Sequence, residues 1–138
     1  MKLCDRFMVR NTKTMGRGVF ALVPIAKGDM IGTFPTITIP EPERAVMENS
    51  VISQFWFLDK QGGALVAGFP QLLNHSDKPN IGHRFYMSPV GEIAEFRALR
   101  AIQEGEQLFL DYHFESPADA ARYFQKDYHR PTAGAPSR

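Results

Sequence analysis

Cysteine is nearly absent from this chain of 138 residues: Cys4 stands alone, so neither an internal disulfide nor a cysteine-built zinc site can organise it. No apolar run approaches the roughly 18 residues that a membrane-crossing helix needs, which argues against a membrane protein. Charge of one sign is lacking too. The 16 basic and 15 acidic side chains leave a net +1, mixed along the chain, too little for a protein built to grip a phosphate backbone. Direct nucleic-acid binding is therefore not expected, although a basic protein partner remains compatible. The opening Met1-Lys2-Leu3-Cys4-Asp5-Arg6 carries charge where a secretory leader requires apolar residues. The expectation is an intracellular protein, cytoplasmic if bacterial and nuclear if it works in a eukaryotic cell. There is no internal repeat. What is present, 43% hydrophobic and 22% charged residues, is the composition of one folded domain with one core.

Short β-rich segments dominate the pattern. Arg6 to Arg10 alternates polar and apolar, Val19 to Leu22 and Met30 to Phe34 follow as strands, and Thr36 to Ile39 extends the β character to Pro40. Glu41 to Asn49 is expected to be helical, with Pro42 and two glutamates suiting the start of a helix. Val51 to Leu58 reads as a strand and Ala64 to Ala67 as another short apolar piece, whereas Gly68 to Gly82 reads as irregular. Arg84 to Met87 and Glu92 to Ala98 form an expected strand pair around Ser88-Pro89-Val90-Gly91. Gln107 to Tyr112 is an expected strand after a turn at Glu104-Gly105-Glu106. Ala118 to Tyr128 has Ala121, Phe124 and Tyr128 at helical spacing, and His129 to Arg138 reads as a loose tail. Many short strands with two small helices predict a mostly β domain.

Three local patterns could carry chemistry. Gly16-Arg17-Gly18, preceded by Met15, is a hairpin turn on the plain reading; on the functional one, backbone without side chains lets a cofactor approach it. With no third glycine and no following helix, it is not a Rossmann fingerprint. Asn74-His75-Ser76-Asp77-Lys78-Pro79-Asn80 is either a hydrogen-bonded loop or a polar corner emerging from the apolar Phe69 to Leu73. In the second case, its donors and acceptors suit an adenine edge or a charged amino-acid end. Glu104 to Tyr112 ends in Asp111-Tyr112, where the tyrosine either packs or aims its hydroxyl into an apolar pocket. The histidines at 83, 113 and 129 fit no familiar metal spacing, so no metal is expected.

Taken in order, these patterns, together with Val19-Phe20-Ala21, Ile25-Ala26-Lys27-Gly28-Asp29 and Ala98-Leu99-Arg100-Ala101-Ile102, resemble the SET-domain family of protein-lysine methyltransferases over residues 6 to 114. The chain looks most like compact viral and bacterial members without flanking zinc modules. The resemblance implies a mostly β, β-clip fold whose C-terminal segment forms a pseudoknot, with one or two short helices. Residues 1–116 would form the SET domain, and 117–138 a C-terminal helix, a candidate lid, with its tail. It implies S-adenosyl-L-methionine as cofactor, bound by Met15, Gly16, Arg17, Gly18, Asn74, His75 and Tyr112, with Tyr112 catalytic. It implies a lysine-bearing protein or peptide as substrate, histone-like or otherwise basic, lined by Phe55, Trp56 and Leu110; Phe57 is assigned to the core instead. A homodimer is compatible with the exposed aromatics.

Departures from the family pattern carry their own expectations. Phe55 stands where relatives often have tyrosine, Gln71 and Leu72 where arginine and phenylalanine are frequent, and Asp77 where a cysteine would serve a zinc module. Leu110 replaces an aromatic that often limits methylation, so di- or trimethylation is expected. The competing reading is a SET-fold module that binds a peptide without catalysis, favoured by Phe55 and opposed by Asn74, His75 and Tyr112 occurring together.

Overall fold

A computed structural model describes residues 1–57 and 63–113 of the chain. Its first hairpin joins β1 (Phe7–Asn11) to β2 (Arg17–Ala21), antiparallel with Val9 opposite Val19. Alternation decides the buried face: Phe7, Val9, Val19 and Ala21 point inward. The connecting turn is closed by Thr12 N–H donating to Gly16 O at 2.6 Å and by Met15 N–H donating to Thr12 Oγ1 at 2.8 Å. Gly16 has φ +73°, a left-handed conformation that glycine adopts without the Cβ penalty.

The main sheet has the order β4-β3-β7-β6, built from β3 (Met30–Thr38), β4 (Ala64–Val66), β6 (Ile81–Ser88) and β7 (Gly91–Ala98), all antiparallel neighbours. β6 and β7 are joined by Pro89-Val90, where Gly91 has φ +108°. The expected strand pair is therefore there, longer than its sequence pattern suggested. A two-residue parallel pair, β5 (Asn74–His75) with β8 (Phe109–Leu110), links positions far apart in the chain. The fold is mostly β, as expected.

The core is continuous. Phe7, Val19, Leu73, Ile81, Phe96, Ile102, Leu108 and Leu110 are all essentially inaccessible to solvent, and Phe57 and Tyr112 pack against the cluster they form. The helix α1 (Glu41–Glu48) lies where the sequence placed it but buries none of its side chains. Proline in its first turn and Glu41 and Glu43 near its positive end account for its start.

One expected strand is not formed. Val51–Gln54 is a turn of 3-10 helix, because the Ser50 hydroxyl accepts from Ile52 N–H at 3.2 Å while the Ser53 hydroxyl donates to Ser50 O at 3.0 Å. Such local side-chain bonds divert the backbone from a ladder. Among the described residues of that stretch, only Phe57, bridging to Ala64, retains β pairing. Similarly, the irregular reading of 68–82 missed a 3-10 turn at Phe69–Leu72 and the strand β5. The strand expected over Gln107 to Tyr112 contracts to Phe109–Leu110, with Gln107 an isolated bridge to Phe20. The expected helix at Ala118 to Tyr128, its lid role and the tail lie outside the described residues, as does Leu58.

Candidate active site

β8 is clasped from two sides. Leu108 N–H donates to Val19 O at 2.8 Å, and Ser76 N–H to Leu110 O at 2.9 Å. Asn80 completes the clasp: its Nδ2 donates to Gln107 O at 2.8 Å and its Oδ1 accepts from Phe109 N–H at 2.7 Å. These bonds draw the three sequence patterns into one corner.

At the centre of that corner is Asn74, only 6% exposed. Its Nδ2 donates both to Arg17 O and to Gln107 Oε1, each at 2.9 Å. The first glycine of the turn is needed for its φ; the second is needed for space. A Cβ built on Gly18 would lie 2.3 Å from Gln107 Oε1 and 3.1 Å from Asn74 Nδ2. Arg17 itself is half-buried, and its Nε is shielded from solvent with no hydrogen-bond partner among the described residues. Met15 stands more exposed at the tip of the turn.

His75 and Tyr112 form the other half of the corner. Tyr112 N–H donates to His75 Nδ1 at 3.0 Å, and their rings sit with centroids 5.3 Å apart. Because Nδ1 is an acceptor, the imidazole proton belongs on Nε2, which faces Asp77 Oδ1 at 3.3 Å. The phenol of Tyr112 donates to the carbonyl of Leu73, the residue just before Asn74. The structure thus brings Arg17, Gly18, Asn74, His75 and Tyr112 together. Leu110 lies beside them, paired with His75 but with its side chain in the core. Phe55 and Trp56 are half-buried on a separate segment, with Trp56 against Gly63, and none of the hydrogen bonds named for this corner involves them.

Residues 16–113 match the SET domain. The chain belongs to the SET-domain family. A Schizosaccharomyces pombe histone-lysine N-methyltransferase specific for lysine 37 of histone H3 is 30% identical over 121 residues, covering 82% of this chain and 80% of the relative. A solved Plasmodium falciparum protein assigned as a histone methyltransferase superposes with a TM-score of 0.66 over 81% of this SET-domain chain and 97% of its own, at 24% identity, which supports the fold.

Two participants carry no role in the sequence reading. Gln107 and Asn80 lie inside patterns already singled out, yet nothing local distinguishes a carboxamide that spans two segments from one in an ordinary turn. His83, considered in the sequence only for metal, packs instead in an aromatic cluster: it stacks on Phe96 at 5.7 Å, meets Phe57 and Phe85 edge-on, and lies 6.4 Å from the ring of His113. Burial, and then the neighbouring His113, hold His83 below its ordinary pKa. Among the described residues no group of three His, Cys, Asp or Glu side chains is placed to hold a metal, and no helix is long and apolar enough to cross a membrane.

Proposed function

We propose that this SET-domain protein transfers a methyl group from S-adenosyl-L-methionine to a lysine side chain of a protein. The observation that carries the reading is the convergence of the Tyr112 phenol, the Leu73 carbonyl and the Asn74-His75 pair on one corner beside the Arg17 turn. When bound, the cofactor supplies a methyl group made electrophilic by a sulfonium.

The donor set fits that cofactor's amino-acid end. Asn74 spends both of its N–H groups on protein oxygens, which leaves Oδ1 as an acceptor suited to an α-ammonium. Arg17, whose Nε has no hydrogen-bond partner among the described residues, is a donor suited to a carboxylate. His75 holds the backbone of Tyr112, and so fixes the phenol, instead of serving as a base. Tyr112 orients the target amine relative to the methyl group, and correct placement supplies the main rate effect. The amine must arrive neutral. Leaving water for a site that also holds a cation favours loss of its proton, so the reading requires no dedicated base.

An extended peptide with the lysine inserted beside Phe55 and Trp56 is the substrate this reading implies, and the histone specificity of the fission-yeast relative makes histones the first panel. Incubation with labelled cofactor, core histones and cell lysate tests it; the expected outcome is labelled protein that yields methyl-lysine on hydrolysis. Tyr112→Phe should lower transfer by at least about 100-fold while cofactor still binds in calorimetry. Full activity of that variant removes Tyr112 from its role. The absence of a hydroxyl at Phe55 favours a second reading, a peptide-binding module without catalysis, which predicts no heat of cofactor binding.

A further inference from the structure

We infer that Gln107 is a positioning residue for cofactor recognition: its side-chain oxygen fixes which way round the Asn74 amide stands, and so presents Asn74 Oδ1 to the cofactor's α-ammonium. The inference rests on the proposed methyl transfer and adds to it a residue that does not itself touch the ligand.

An asparagine side chain can rotate by half a turn and exchange its oxygen for its nitrogen at little cost unless its neighbours forbid it. Here they do. Arg17 O is a backbone carbonyl, an acceptor that cannot become a donor, and it takes one Asn74 proton at 2.9 Å. Gln107 Oε1 takes the other at 2.9 Å. A turned Asn74 would set its oxygen against both. Gln107 could answer by turning as well and donating from its own nitrogen, but the clash with Arg17 O would remain. One arrangement alone satisfies all three groups. None of the described residues donates to Asn74 Oδ1.

The position of Gln107 is itself held on several sides. Its backbone oxygen accepts from Asn80 Nδ2 at 2.8 Å, it bridges to Phe20, and Gly18 leaves the space its side-chain oxygen occupies. The second glycine of the turn, Asn80 and Gln107 thus serve one end, the orientation of an amide that is 94% buried, since Asn74 is only 6% exposed. Without the Gln107 acceptor, one Asn74 N–H is left without a partner, and the amide loses one of its two orienting contacts.

The test compares two ligands on the same proteins by calorimetry: S-adenosylhomocysteine, which carries the α-ammonium, and its desamino analogue, which does not. Gln107→Leu keeps the approximate shape and removes the acceptor; Gln107→Glu keeps an acceptor. We expect Q107L to bind S-adenosylhomocysteine about tenfold more weakly and the desamino analogue as tightly as the wild type does, with Q107E within about threefold of wild type for both. In turnover, the Q107L loss should fall on KM for the cofactor more than on kcat. Equal weakening of both ligands, or none, overturns the inference. A wild-type protein that binds neither ligand overturns the cofactor reading and this inference with it, whereas tight wild-type binding with an indifferent Q107L overturns only the inference. Any loss of stability in Q107L leaves the test intact, because the ratio between two ligands is read on one folded protein.

Discussion

Gly18 shows how a residue without a side chain can shape the candidate site. In sequence it suggests a surface where a ligand meets bare backbone, yet the space it leaves is filled by Gln107 Oε1 and Asn74 Nδ2. Gly18→Ala must therefore push the Gln107 side chain aside and break its bond to Asn74. The Gln107 side chain can swing away, so the expected cost is about 1 kcal/mol of stability, that of the lost side-chain hydrogen bond, and on the proposed reading cofactor binding weakens with it. Denaturant melts and calorimetry on the same preparation check both. Gly16, two residues earlier, is required for a different reason, its positive φ. The paired glycines were legible as a turn; which of them serves conformation and which serves space was not, because the second depends on a residue about 90 positions away.

Among the elements, β8 holds the candidate site together. Two residues of ladder cannot hold a strand in place, and Asn80 supplies the missing bonds by joining Gln107 O to Phe109 N–H through one side chain that is 1% exposed. Asn80→Ala removes the side-chain partners of the Gln107 carbonyl and the Phe109 N–H on two half-buried residues, and should lower stability by about 1–3 kcal/mol; urea denaturation measures it. The local patterns around Asn74 and Asp111-Tyr112 were readable because each is contiguous. The strand predicted over Val51 to Leu58 failed because its apolar residues follow no strict alternation and serines near its start capture the backbone. Helix α1 was readable from its proline and acidic start alone, although its packing contributes no buried side chain.

Across the whole molecule, two ionisable groups among the described residues, His83 and Glu95, tie stability to acid. His83 sits among Phe57, Phe85 and Phe96, with the ring of His113, itself paired to Asp111, 6.4 Å away. Since its folded pKa lies below the ordinary 6.5, the unfolded chain takes up the proton more readily, and stability present above 6.5 declines as pH falls toward the folded value. Glu95 loses its contribution further into acid. Hydrogen bonds from Arg84 and then Arg97 hold its carboxyl below the ordinary 4.5, so its share is present above 4.5 and is lost as pH falls through the depressed value. His83→Phe should abolish the first decline and leave the second, which melting temperatures measured from about pH 8 to pH 3 across the ordinary 6.5 and 4.5 values will show.

The clasp also bears on how the molecule is made. Asn74 meets Phe109, and Arg17 and Gln107 meet on Asn74, so the candidate corner is stitched from early, middle and late parts of the described polypeptide. A nascent chain halfway out of the ribosome holds the glycine turn but no corner for it to complete. Contacts of such long range form slowly, so on the proposed reading a folding polypeptide gains its cofactor corner only once Phe109 and Leu110 dock beside Asn74 and His75.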